Sequence, residues 1–244
     1  MSAPTPPSSP RVRNARGSLV VAIDGPAASG KSSTAQWVAQ RLGFRHVDSG
    51  ALYRAATAVA IARAGEEFDE PTVLAGLDEI SLRPAQQSFT PTWRRGEMEE
   101  MIRAPEVTRH VSRVAQMDGV RQWVNAHVRM AAEGRDVVVD GRDIGTVVFP
   151  DADLKVFLIA DPWERARRRL TQRHGRGPTD AEIADETERL VQRDARDATQ
   201  TVQAKDAILI DTTYLTQAEQ VERIVSLAGV FRGGGPVNGS EPRG

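Results

Sequence analysis

Gly25-Pro26-Ala27-Ala28-Ser29-Gly30-Lys31-Ser32 fits the pattern G-x-x-x-x-G-K-[ST] at every fixed position. An apolar run, Leu19-Val20-Val21-Ala22-Ile23, precedes it, and a segment with helical periodicity follows. Strand, loop and helix in that order are what a phosphate-binding P-loop requires. Small residues let successive backbone N–H groups turn inward at a helix N-terminus, whose dipole favours negative charge. Lys31 reaches the outer phosphates as a point charge, and the Ser32 hydroxyl is placed to ligate Mg²⁺. Residues 25–33, ending at Ser33, therefore predict a grip on a nucleoside triphosphate.

A P-loop needs a parallel sheet behind it, and the rest of the chain supplies the pattern. Residues 19–24, 136–140 (DVVVD), 154–159 (LKVFLI) and 207–211 (AILID) read as strands buried on both faces. Ala35, Val38, Ala39 and Leu42 mark a helical face, as do Val107, Val111, Val114 and Ala115, and Val120, Val124 and Val128. Alternation of these elements predicts a three-layer αβα fold around a central parallel sheet. Two stretches break the rhythm. Residues 66–105 carry Pro71, Pro84, Pro91 and Pro105 and suggest a small insert; residues 164–200 suggest a polar helical hairpin turning at Gly175, Gly177 and Pro178. The folded unit is expected over residues 18–232, between tails of Pro- and Ser-rich (1–17) and Gly-rich (233–244) composition that read as disordered.

Charge and cysteine content remove whole classes of chemistry. Among 244 residues the net charge is −1, so no global field draws the chain to nucleic acid or anionic membrane. Without cysteine there is no disulfide, thiolate metal site or thiol nucleophile. No apolar run approaches ~18 residues, and a cytoplasmic enzyme is expected.

Four further constellations carry chemistry. Asp48-Ser49-Gly50-Ala51-Leu52-Tyr53-Arg54 would face the P-loop from a strand end, where ligands bind open α/β sheets. Ser49 could simply cap the following helix, while Arg54 offers a planar fork for a phosphate or carboxylate. Asp140 ends an apolar strand as a Mg²⁺-side carboxylate does, followed by Arg142 and Asp143 between Gly141 and Gly145. Arg165, Arg167, Arg168 and Arg169 could form a surface network with Asp161, Glu164, Asp180 and Glu182, close over a transferring phosphoryl group, or bind nucleic acid. Arg193 and Asp197 lie four residues apart on a helix, able to pair with each other or to present a donor and an acceptor to a sugar and its phosphate.

The sequence resembles the bacterial cytidylate kinases. The resemblance rests on IDGPAASGKSS, VDSGALYR, VSRVAQMDGVR, DGRDIGTVVFPDADLKVFL, the Arg-rich helix, RDARD and DAILIDTT, in the family's order. It implies that Ser49, Arg54, Ser112, Arg121, Arg142 and Asp143 hold a nucleoside monophosphate, with Arg142 and Asp143 at the cytosine edge. It implies that Arg193 and Asp197 hold its ribose and phosphate end. Arg165 and Arg169 would belong to a lid over ATP (residues 164–195), and residues 66–105 would form the monophosphate-side subdomain. Ser112 and Arg121 gain a role only through the resemblance. Gln200 departs from it: many members carry arginine there, so one cationic contact is missing or another arginine supplies it.

The expected reaction is phosphoryl transfer from ATP to CMP or dCMP by a monomer, with Mg²⁺ on Ser32 and Asp140 and no nucleic-acid or membrane partner. Positioning and charge neutralisation do most of such work. The rival readings are a kinase for UMP or another small acceptor, a nucleotide-dependent nucleic-acid-binding protein, and a GTP switch. The last lacks an Asn-Lys-x-Asp guanine reader.

Overall fold

A computed structural model describes residues 18–232; the expectation of disordered tails falls on residues outside that range. Successive elements are β1 (Val20–Asp24), α1 (Lys31–Leu42), β2 (Arg45–Asp48), α2 (Ser49–Ala64), α3 (Glu70–Leu77), β3 (Ile80–Pro84), β4 (Phe89–Trp93), β5 (Gly96–Glu97), α4 (Glu99–Arg103), α5 (Pro105–Val114) and α6 (Asp118–Ala132). Then come β6 (Val137–Asp140), one π turn (Ile144–Val148), β7 (Leu154–Ile159), α7 (Pro162–His174), α8 (Asp180–Asp197), β8 (Ile208–Asp211) and α9 (Gln217–Arg232). The described residues contain a five-stranded sheet ordered β2-β6-β1-β7-β8, parallel throughout.

Side chains alternate across a strand, so each strand feeds both faces of the sheet. Val20, Ala22, Val47, Val137 and Val139 pack on one face in a core shared with α2, α3, α5 and α6. Val21, Ile23, Val138, Leu154, Val156 and Leu158 pack on the other with α1 and α9. Burying one such Val or Leu side chain is worth roughly 1.5–3 kcal/mol, which is why β1 and β6 are apolar up to their closing aspartates. Ile208 and Leu209 of β8, at the sheet edge, stay exposed instead of being buried on both faces. The three layers are those the alternation of elements predicts.

The insert is a three-stranded antiparallel sheet, β3-β4-β5, flanked by α3 and α4. Its Val73, Leu77, Ile80, Met98 and Ile102 belong to the same core as α2 and β6, so it is fastened to the main body rather than linked to it. The expected hairpin forms from α7 and α8. Asp161 caps α7 by accepting from Trp163 N and Glu164 N, Gly175 ends it with φ 65°, and Thr179 with Glu182 makes a capping box for α8. A small apolar cluster of Ala166, Leu170, Ile183 and Leu190 holds the hairpin together and touches Ala27 of the P-loop.

Candidate active site

β1 delivers the P-loop to the C-terminal edge of the sheet, and the loop's first residue has no room for a side chain. A Cβ on Gly25 would stand 2.1 Å from the Leu158 carbonyl oxygen, with φ at 147°. Lys31 is only 8 % exposed. Its ammonium donates to the Pro26 carbonyl at 2.5 Å and to Ser29 Oγ at 3.4 Å, and burial pulls its pKa down to about 7. A lysine curled onto its own loop in this way is poised to trade one carbonyl for phosphate oxygens. No side chain caps the start of α1, so its first-turn N–H groups face the same space.

Parallel register then sets the carboxylates beside the loop. Asp48 and Asp140 are partners across β2 and β6, and Ile23 partners Asp140 across β1 and β6. Asp140 is 2 % exposed. Its Oδ2 accepts from Ser32 Oγ at 2.6 Å, and its Oδ1 is 2.7 Å from His46 Nε2. Burial and the charge of Asp140 push the Asp48 carboxyl up to about 6. Asp48, not Ser49, caps α2, accepting from Ala51 N at 3.0 Å. Ser49 instead donates to the Asp140 carbonyl at 2.8 Å. That approach needs Gly141, whose Cβ would come within 2.5 Å of Ser49 Oγ.

A cavity of about 210 Å³ opens beside these groups. Lys31, Ser32, Ser49, Arg54, Ser112, Asp140, Arg142, Asp143, Arg169, Arg193 and Asp197 all line it, together with Ala27 and Ala28, so most sequence-predicted residues meet. Arg142 donates to the Gly25 carbonyl at 2.8 Å and to Asp197 Oδ2 at 3.0 Å; Arg193 stands 3.6 Å from the same oxygen. Arg54 donates to the Ile102 carbonyl and Thr108 Oγ1. Five cations therefore face four carboxylates, counting Asp48. Burial and the nearby Arg142 charge drag Arg193 down to about 10, and burial lowers Arg54 and Arg169 too. Tyr53 Oη and Asp197 Oδ1 are buried without a hydrogen-bond partner among the described residues. Crowded cations and orphaned polar atoms suit a phosphorylated ligand that brings both charge and hydroxyls.

Other predicted residues lie elsewhere. Arg121 does not line the cavity but pairs with Asp143, fixing it from behind. Arg165 is 4 % exposed and donates to the Ala27 carbonyl at 2.7 Å and Asp194 Oδ2 at 2.6 Å. Arg168 donates to the Thr212 and Thr213 carbonyls, and Arg167 pairs with Glu164. Arg169 sits 2.8 Å from Glu186. Each arginine of the run thus has a protein partner, a carboxylate for Arg165, Arg167 and Arg169 and two backbone carbonyls for Arg168. Gly30 and Ser33 line an adjoining cavity beside α1, whereas Ser29 is fully buried. Gln200 does line the main cavity, in the company of Arg142, Arg169 and Arg193.

Sequence reading overlooks Asp24, His46, Glu186 and Asp194. Asp24 accepts from Ile144 N at 2.8 Å and Gly145 N at 2.7 Å, holding the π turn against β1, and burial raises it to about 6. A carboxylate closing an apolar strand was the available signal for Asp24; the others look like ordinary surface residues.

Parallel sheet, P-loop at its C-terminal edge and a cation-lined cleft beside it together define a P-loop kinase, a nucleotide-binding transferase. A sequence profile described as cytidylate kinase matches residues 21–229. The chain belongs to the cytidylate kinase family. It is 42 % identical over 216 residues to the cytidylate kinase of Geobacillus kaustophilus, covering 86 % of this chain and 96 % of that one. Identity to the Oceanobacillus iheyensis cytidylate kinase is 40 %, over 85 % of this chain and 93 % of that one. The bifunctional pantoate ligase/cytidylate kinase of Synechococcus sp. (strain JA-3-3Ab) is 42 % identical over 91 % of this chain, which spans 42 % of that relative's length. Among solved structures, shikimate kinase from Bacteroides thetaiotaomicron aligns at 15 % identity and a TM-score of 0.47, over 86 % of this chain and 98 % of its own.

Proposed function

We propose that this chain transfers the γ-phosphoryl group of ATP to CMP or dCMP, giving ADP and (d)CDP. The observation that carries this reading is the single cleft in which Lys31 and Ser32 of the P-loop meet Arg54, Arg142 and Arg193. One set suits a donor triphosphate, the other an acceptor monophosphate. The P-loop amides and Lys31 hold the donor phosphates, with residues 25–33 as the ATP grip. Ser49, Arg54, Ser112, Arg142 and Asp143, the last steadied by Arg121, hold the acceptor, and Arg193 with Asp197 takes its ribose end. An acceptor phosphate oxygen, already anionic, attacks the γ-phosphorus as the bond to the β–γ bridging oxygen breaks and ADP leaves. No general base is required. Residues 66–105 act as the monophosphate-side subdomain. Residues 164–195 act as a lid whose Arg165 and Arg169 approach the transferring group and exclude water.

Ser32 and Asp140 converge at 2.6 Å, a hydroxyl and a carboxylate, both hard oxygen donors. Among the described residues no group of three or more His, Asp or Glu could hold an ion alone. That donor set fits Mg²⁺ held in part by substrate phosphates, and Ser32 and Asp140 would be its protein contacts. Bound there, the ion neutralises charge on the donor phosphates. Among the described residues no helix is long and apolar enough to cross a membrane; the expected setting is the cytoplasm and the expected state a monomer. A coupled ADP-release assay across the common nucleoside monophosphates tests the reading. CMP and dCMP should be the preferred acceptors, and UMP turnover at the CMP rate would overturn cytidine selectivity.

A further inference from the structure

His46 is a buried imidazole that the proposed reaction does not use, and it sits at a junction. Its backbone N–H donates to the Gln87 carbonyl at 2.8 Å, and it bridges to Ser88, so it fastens the β3–β4 connection of the insert to β2. The residue is buried, and its side chain turns the other way, with Nε2 2.7 Å from Asp140 Oδ1. The second oxygen of Asp140 meets Ser32 Oγ at 2.6 Å.

We infer that His46 is a positioning residue that fixes the rotamer of Asp140 for metal-bound ATP. This rests on the functional reading above, because it takes Asp140 to lie on the metal side of the donor. An ionised carboxylate only accepts hydrogen bonds, so Nε2 must carry the proton in this contact. With Oδ1 occupied by the imidazole, Oδ2 is aimed at Ser32. Without that donor the carboxylate is free to turn about its terminal torsion, a broad, soft one. Asp48, its partner across the strands, gives it an electrostatic reason to turn away. Partners behind a ligating group orient it, and losing one typically costs 10–100-fold in metal affinity or activity. Because the same residue holds Gln87, the insert and Asp140 are anchored at one point.

The test compares His46→Phe, which keeps bulk but has no donor, with His46→Gln, whose amide nitrogen can occupy the Nε2 position. Mn²⁺ binding to the complex with a non-hydrolysable ATP analogue is followed by electron paramagnetic resonance, beside the Mg²⁺ dependence of kcat, KM for CMP and Tm. His46→Phe should weaken Mn²⁺ binding about 10-fold or more, leave KM for CMP within twofold, and be largely rescued by His46→Gln. Mn²⁺ affinity within twofold of wild type in His46→Phe, or a Gln variant no better than Phe, overturns the inference. Should His46→Phe fail to fold, His46→Asn takes its place, since its shorter amide cannot reach Oδ1. Equal affinities for Asn and Gln then overturn it. Failure of the wild type to phosphorylate CMP would instead sink the functional reading, before any variant is compared.

Discussion

The Lys31 ammonium rests on a loop carbonyl under almost complete burial, which holds its pKa near 7 instead of the ordinary 10.5. Between about 7 and 10.5 the unfolded chain therefore binds a proton that the empty folded protein does not. This group's contribution makes the empty protein more stable as pH rises through that window, and its cost is complete below about 7. Phosphate oxygens reverse the balance by favouring the charged amine. ATP binding at pH 8 should thus take up about one proton, measured by calorimetry in buffers of different ionisation enthalpy. Lys31→Met should abolish the uptake; a proton count of zero in the wild type would contradict the assignment. Lys31→Ala should lower kcat by about 10²–10³-fold or more with CMP binding retained. Arg142→Ala removes the donor shared by Gly25 and Asp197, and KM for CMP should rise at least ~10-fold with a smaller change in kcat. An unchanged KM would refute its acceptor role. Lys31 was legible because a P-loop is local chemistry, whereas Ser112 looks like any helix residue until α5 is laid along the cavity.

At the scale of elements, the α7–α8 hairpin meets the P-loop through few groups. Its apolar cluster is small, and Arg165 is its main polar tie to the P-loop, through the Ala27 carbonyl and Asp194. Asp194 also accepts from Ala27 N at 3.1 Å, so one carboxylate serves both partners. Asp194→Ala leaves a buried guanidinium half satisfied. Loss of one partner in a buried pair costs roughly 3–5 kcal/mol, and the low end applies because Asp194 keeps a quarter of its side chain in water. That cost falls on the hairpin's local opening. Hydrogen exchange should show amides of α7 and α8 speeding up roughly 100-fold while β1 and β6 stay unchanged; a uniform loss of protection would show that the hairpin and sheet open together. The hairpin's turn was readable from Gly175, Gly177 and Pro178, whereas the Thr179–Glu182 capping box that starts α8 emerged only in the structure. Asp194 was not, because its partner lies 29 residues away on α7.

For the whole molecule, the decisive fact is that the insert shares its core with the main sheet. Val73, Leu77 and Met98 pack in one cluster with Val20, Val47 and Val139. Thermal unfolding should accordingly be a single transition, with Trp93 fluorescence from the insert, read in a variant retaining that tryptophan alone, coinciding with far-ultraviolet circular dichroism. An earlier fluorescence transition would mean the insert folds by itself. Proline spacing marked residues 66–105 as distinct but carried no information on what they pack against. The sequence alone determined the P-loop, the strand-ending Asp140 and the parallel α/β class, because each is written in neighbouring residues and their periodicity. Only the tertiary structure decided which charges meet. Ser32 and Asp140 are 108 residues apart, His46 and Asp140 94, and Arg165 and Ala27 138. Ser32 and His46 reach Asp140 because β6 lies between β1 and β2, and Arg165 reaches Ala27 because α7 follows β7, the neighbour of β1 on its other side; that order is written in no local pattern.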